Sequence, residues 1–127
     1  MINNVLDASA VLAVLNAERG TAKVIPLLAE SAISTVNLAE VSAKLLDAGM
    51  TESIAQAAIS FLGIAEVVNF DESLSWEVAK LRPLTKSFGL SLGDRACIAL
   101  AMKLGVRAVT ADRVWANLRF CRVLLIR

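Results

Sequence analysis

Short apolar runs alternate along this chain with longer stretches whose apolar residues recur every three or four positions. Residues 2–6, 32–36, 64–70, 106–110 and 123–126 read as strands. Between them the spacing predicts helices over 10–18, 21–30, 37–48, 51–62, from 72 into the low eighties, over 91–104, and a short one over 112–118. Gly20, Gly49, Gly63 and Gly105 follow four of these segments as stop signals, while Thr51, Asp71 and Ser91 stand where N-caps belong. Pro26 and Pro83 fall inside helical patterns, so irregularity is expected at the first and a kink or break at the second.

The strand-like runs are apolar on both sides rather than alternating. That is the pattern of a parallel sheet covered on both faces. Strands alternating with helices then give an α/β fold of three layers, α/β/α. No repeat, linker or low-complexity tract interrupts the chain, so residues 1–127 are expected to form one domain.

In such sheets ligands bind beyond the carboxyl ends of the strands. Four acidic residues are expected at that edge. Asp7 follows the first strand and Asp112 the fourth. Glu40 lies in the first turn of the predicted helix after the second strand, and Asp94 in the first turn of the helix before the fourth. Each has a local explanation of its own. Asn37-Leu38-Ala39-Glu40 and Ser91-Leu92-Gly93-Asp94 both read as capping boxes. Asp112 alone is an N-cap and Asp7 alone a turn residue.

Their common placement calls for more than four separate caps. Two carboxylates about 4 Å apart repel by roughly 4 kcal/mol at an effective dielectric near 20. A divalent cation offsets that repulsion. The chain has no histidine, which removes histidine-based triads and most catalytic zinc sites. Oxygen ligands favour magnesium, manganese or calcium, and a metal-dependent phosphoryl-transfer enzyme is the expected class.

Ser9, Asn37 and Thr110 bring neutral polar groups to the same edge, where they can support a carboxylate or a water. Arg95 and Arg113 each follow one of the acids directly and are candidates for holding a substrate phosphate. Trp76 and Trp115 are expected to pack in the core or at an interface rather than to stack on bases. Cys97 and Cys121 lack metal-ligand spacing and are expected to be buried, reduced thiols.

The hydrophobic fraction is 57%, above the usual level of about 45–50%. No uncharged apolar stretch is long enough to span a membrane, and the longest uncharged run covers only residues 53–65. Met1-Ile2-Asn3-Asn4 has no basic n-region, and Asp7 breaks the apolar stretch that follows, so a cytoplasmic protein is expected. The surplus apolar surface then points to a homodimer or a protein partner. A net charge of +1 neither demands nor excludes nucleic acid.

Four segments together resemble the PIN-domain family. They are Val5-Leu6-Asp7-Ala8-Ser9-Ala10, Asn37-Leu38-Ala39-Glu40-Val41, Leu92-Gly93-Asp94-Arg95-Ala96 and Val109-Thr110-Ala111-Asp112-Arg113. In order and spacing they look like the toxin half of VapC-type toxin–antitoxin pairs, over nearly the whole chain. The resemblance implies a magnesium- or manganese-dependent endoribonuclease that acts on RNA, dimerises and is silenced by a cognate antitoxin. It carries the family's acidic ligands onto Asp7, Glu40, Asp94 and Asp112, and its supporting hydroxyl onto Thr110, with Ser9 beside it. Two alternatives stand against it. A receiver-like phosphoacceptor would use Asp71 or Asp7, although no lysine follows the fifth strand. A non-catalytic interaction domain would keep the fold without the chemistry.

Overall fold

The computed structural model describes Met1–Arg127. Its strands are β1 (Asn4–Leu6), β2 (Ser31–Ser34), β3 (Glu66–Val68), β4 (Arg107–Thr110) and β5 (Val123–Leu125). They form one sheet in the order β3-β2-β1-β4-β5, every pair parallel. The helices are α1 (Ala8–Leu15), α2 (Thr21–Val24), α3 (Thr35–Asp47), α4 (Glu52–Phe61), α5 (Glu72–Thr85) and α6 (Leu92–Leu104). This is the expected three-layer α/β/α arrangement.

Successive residues of a strand point to opposite faces, and β1 shows what that does here. Val5 lies in a core cluster with Leu74, Val78 and Leu81 of α5 and Ala96 and Leu100 of α6. Leu6 lies in a second cluster, with Val11 of α1, Val24 of α2, and Val41 and Leu45 of α3. Both strand residues are fully buried, and burying side chains of this size stabilises by about 1.5–3 kcal/mol each. The outer strands β3 and β5 are more exposed than β1 and β2, because each has a neighbour on one side only.

Three local expectations need correction. First, the helix after β2 starts at Thr35 rather than Asn37, because the Ser34 hydroxyl accepts the Val36 amide and caps it there. Asn37 is therefore inside the helix, Glu40 lies in its second turn, and the Asn37–Glu40 capping box does not form. Second, the chain does not break at Pro83, and α5 continues through it to Thr85. Proline there removes only the donor to the Ala79 carbonyl, and Ala79 is exposed, so water can take that bond. Third, the helix expected over 112–118 is a 3-10 turn at Arg113–Asn117, capped by Asp112. The irregularity expected at Pro26 is real: α2 stops at Val24 and the chain goes on as a 3-10 segment, Ile25–Glu30.

Candidate active site

The strand order reverses between β1 and β4, and a crevice opens at the carboxyl ends of such a pair. Asp7 is the first residue beyond β1. Its amide still donates to the Val109 carbonyl at 3.0 Å, which holds it beside the end of β4. Its Oδ1 accepts the Ala10 amide at 2.9 Å, capping α1. Ser9 Oγ donates to the same oxygen at 2.7 Å. Thr110, the last residue of β4, donates from Oγ1 to Asp7 Oδ2 at 2.6 Å.

These donors do not fully offset the cost of burying the charge. Asp7 is only 5% exposed. Burial raises its pKa to about 6, the bonds from Thr110, Ser9 and Ala10 pull it down, and the nearby charge of Asp94 pushes it up again. The two hydroxyls are fixed in turn: Ser9 Oγ accepts the Ala111 amide at 2.9 Å, and Thr110 Oγ1 accepts the Asp112 amide at 3.0 Å.

The other wall comes from the N-terminal parts of α3 and α6. Ser91 and Asp94 form the expected capping box: Asp94 Oδ2 accepts the Ser91 amide at 2.9 Å, and Ser91 Oγ accepts the Asp94 amide at 3.2 Å. Asn37 is buried between the two helices. Its Nδ2 donates to Glu40 Oε1 at 2.9 Å and to the Gly93 carbonyl at 3.0 Å. Both partners can only accept, so the amide orientation is settled. Asn37 Oδ1 is buried without a protein partner. The Glu40 carboxylate lies against Gly93, where both its oxygens are 2.5 Å from the place a Cβ would occupy.

Asp94 acts on Asp7 through its charge, and Glu40 lies against Gly93, the residue before Asp94. The Cys97 thiol is buried: burial pushes its pKa well up, and the charges of Asp7, Cys121, Asp94 and Glu40 add to the rise. A thiol so placed stays protonated and is no nucleophile. Asp112 is exposed, and its Oδ1 caps the 3-10 turn through the Val114 amide at 3.0 Å.

No three acidic side chains are drawn together as a ready ligand cluster. The donor set nevertheless suits a hard divalent cation. All the candidate ligands are oxygens, and the buried Asp7 charge is opposed by both desolvation and Asp94; a cation would relieve both.

The two arginines sit differently from each other. Arg95 donates from Nη1 to the Val78 carbonyl at 3.1 Å, tying α6 to α5. Arg113 is exposed beside Asp112 and donates from Nε to the Arg127 carbonyl at 3.3 Å. Trp115 is fully buried in the core and Trp76 is exposed on α5. Cys97 is buried, whereas Cys121 is only half-buried. Asp71 caps α5 after the outer strand β3. Sequence reasoning assigned no role to Gly93, although a glycine in the first turn of a strong helix is a signal that space is needed there.

An all-parallel sheet with carboxylates beyond the ends of its central strands defines an α/β protein with acids at its topological switch point. The PIN domain model matches residues 5–120, and the chain belongs to the PIN-domain family. No curated protein sequence matches it. Among solved structures it is similar to DNA-bound VapBC from Salmonella typhimurium, at 17% identity and a TM-score of 0.76 with both chains covered in full. It is similar to VapBC-5 from Mycobacterium tuberculosis, of the VapBC family of toxin–antitoxin systems, at 25% identity and a TM-score of 0.66, covering 100% of this chain and 99% of the other. It is also similar to VapC20 from the same organism, a sarcin–ricin loop cleaving toxin, at 21% identity and a TM-score of 0.72, covering 94% and 99%.

Proposed function

We propose that this chain is a divalent-metal-dependent endoribonuclease, the toxin of a toxin–antitoxin pair, acting as one domain over residues 1–127. The observation that carries the reading is the burial of Asp7 just beyond the central strand of a PIN fold, where desolvation and the charge of Asp94 both oppose its ionisation. Glu40, held against Gly93 at the start of the same helix as Asp94, is read as the third acid of the set. The VapBC and VapC structures of the same fold add to it.

Asp7, Asp94 and Glu40 hold magnesium or manganese, with Asp112 at the rim of the set. When bound, the cation supplies Lewis-acid activation of water and offsets charge on the scissile phosphate. Thr110 and Ser9 orient the Asp7 carboxylate and favour its ionised form. Asn37 holds Glu40. Arg113, exposed beside the crevice, is available to a backbone phosphate of the RNA. With no histidine in the chain and Cys97 kept protonated, the attacking group is water rather than a side chain.

Exposed apolar residues on α3 and α4 (Leu46, Ile54, Phe61) and on α5 (Trp76, Leu84) offer surface for an antitoxin and for a second copy of the chain. No helix is long and apolar enough to cross a membrane.

Cleavage of total cellular RNA by the purified chain, with magnesium and with a chelator, tests the proposal. Site-specific cuts that need the metal and vanish in Asp7→Ala and Asp94→Asn are expected. Cuts that persist at the wild-type rate in both folded variants would remove these acids from the mechanism.

A further inference from the structure

We propose that Gly93 is a positioning residue: its missing side chain is the slot that seats the Glu40 carboxylate against the first turn of α6, the turn that carries Asp94, and Asn37 pins it there. The inference rests on the reading of Glu40 as a metal ligand.

Five of the six glycines have positive φ, and Gly93 is the exception. It sits in the first turn of α6 with helical neighbours on both sides, so its backbone conformation does not require glycine. A helix ordinarily gains from alanine in place of glycine. The demand for glycine here therefore comes from what its missing side chain leaves open. The three atoms nearest to a Cβ at Gly93 all belong to the Glu40 carboxylate: Oε1 and Oε2 at 2.5 Å and Cδ at 2.6 Å. No real Cβ tolerates such contacts. The carboxylate is the free end of a flexible side chain, so it is the carboxylate that would move, while the helix stays.

Asn37 makes the seat specific. Its one amide group bonds the Glu40 carboxylate and the Gly93 carbonyl together. Glu40 is exposed, and an exposed glutamate ordinarily samples several rotamers. Here the slot and the amide select one, which holds its carboxylate against the first turn of α6. The slot is thus a device on α6 that sets the position of an acid on α3.

Isothermal titration of the metal-free full chain with manganese tests this, beside thermal unfolding of each variant. Gly93→Ala is expected to melt at or above the wild-type temperature and to bind manganese about tenfold more weakly, as support groups of ligands do when altered. Glu40→Gln is expected to weaken binding at least as much. Adding Gly93→Ala to Glu40→Gln should cause no further loss, because the carboxylate to be positioned is gone. Full manganese affinity in Gly93→Ala, with affinity lost in Glu40→Gln, overturns the positioning role and leaves the ligand reading standing. Full affinity in Glu40→Gln overturns the ligand reading, and the slot with it. Losses that add in the double variant also overturn it, since Gly93 would then act independently of Glu40. If Gly93→Ala fails to fold, Asn37→Ala carries the same comparison from the α3 side.

Discussion

Thr110 and Asp7, 103 positions apart in the chain, share a 2.6 Å hydrogen bond in which the threonine hydroxyl donates to the buried carboxylate. The pairing of β1 with β4 in register places them together, since Leu6 lies opposite Val109. The same hydroxyl accepts the Asp112 amide, so one side chain joins two acids.

Thr110→Val keeps the shape and removes the hydroxyl. A buried carboxylate oxygen and a backbone amide both lose their partner, and the loss of stability is expected to be about 1–3 kcal/mol by chemical denaturation. Because the Thr110 bond lowers the Asp7 pKa, the variant should also hold the Asp7 proton to higher pH. Carboxyl resonances followed through a pH titration read this directly; an unmoved Asp7 titration would mean the bond does not tune it. Thr110→Ser should retain most of both properties.

The metal-free protein should carry a pH-dependent cost at Asp7. Its folded pKa of about 6 lies above the ordinary value of 3.8, so the folded state keeps the proton longer than the unfolded chain. The resulting stabilisation is complete below about pH 4 and is lost as the pH rises through about 6. At pH 7 the cost is on the order of 3 kcal/mol. Asp7→Asn has no such charge, so its stability relative to wild type should grow between pH 4 and pH 7. Unfolding curves at both pH values measure the difference, and a constant gap would contradict it.

Asp94 and Asp112 should separate in metal affinity. Asp94 acts electrostatically on Asp7 and on the Cys97 thiol, whereas Asp112 is not among the charges felt there. Asp94→Asn is expected to weaken manganese binding more than Asp112→Asn. Asparagine caps about as well as aspartate, so Asp112→Asn should leave stability nearly unchanged. Equal losses of affinity in calorimetry would put both acids in the inner ligand set.

Gly20 should behave opposite to Gly93. Its φ is 102°, and a Cβ there would meet the Ile126 carbonyl oxygen at 2.8 Å. Backbone cannot swing aside as a glutamate can. Gly20→Ala should therefore cost more than Gly49→Ala, where φ is 98° but nothing stands within 4 Å. Left-handed strain alone is worth about 1–2 kcal/mol, and denaturation of the two variants measures the excess.

Much of the fold was legible in the sequence because its signals are local. Apolar runs of strand length lie at all five observed strands, and Thr51, Asp71 and Ser91 cap the helices they were expected to cap. Asp94 kept its capping box, and Asp112 its cap, while both remained at the predicted edge. Glu40 was harder to read. Two adjacent polar residues, Ser34 and Thr35, precede Asn37, and pattern alone does not say which hydroxyl or amide caps the helix. The choice of Ser34 moved Glu40 by a turn and freed its carboxylate from the capping box expected of it.

The chain by itself thus determined a parallel α/β sheet, oxygen-only site chemistry and the edge on which the acids lie, since periodicity, composition and caps act over a few residues. Only the tertiary structure decided how each acid is held. The junction of α3 with α6 sets Glu40 against Gly93, and the pairing of β1 with β4 buries Asp7 under Thr110. Those contacts span 53 to 103 positions. They follow from packing and strand register, which no short stretch of sequence specifies.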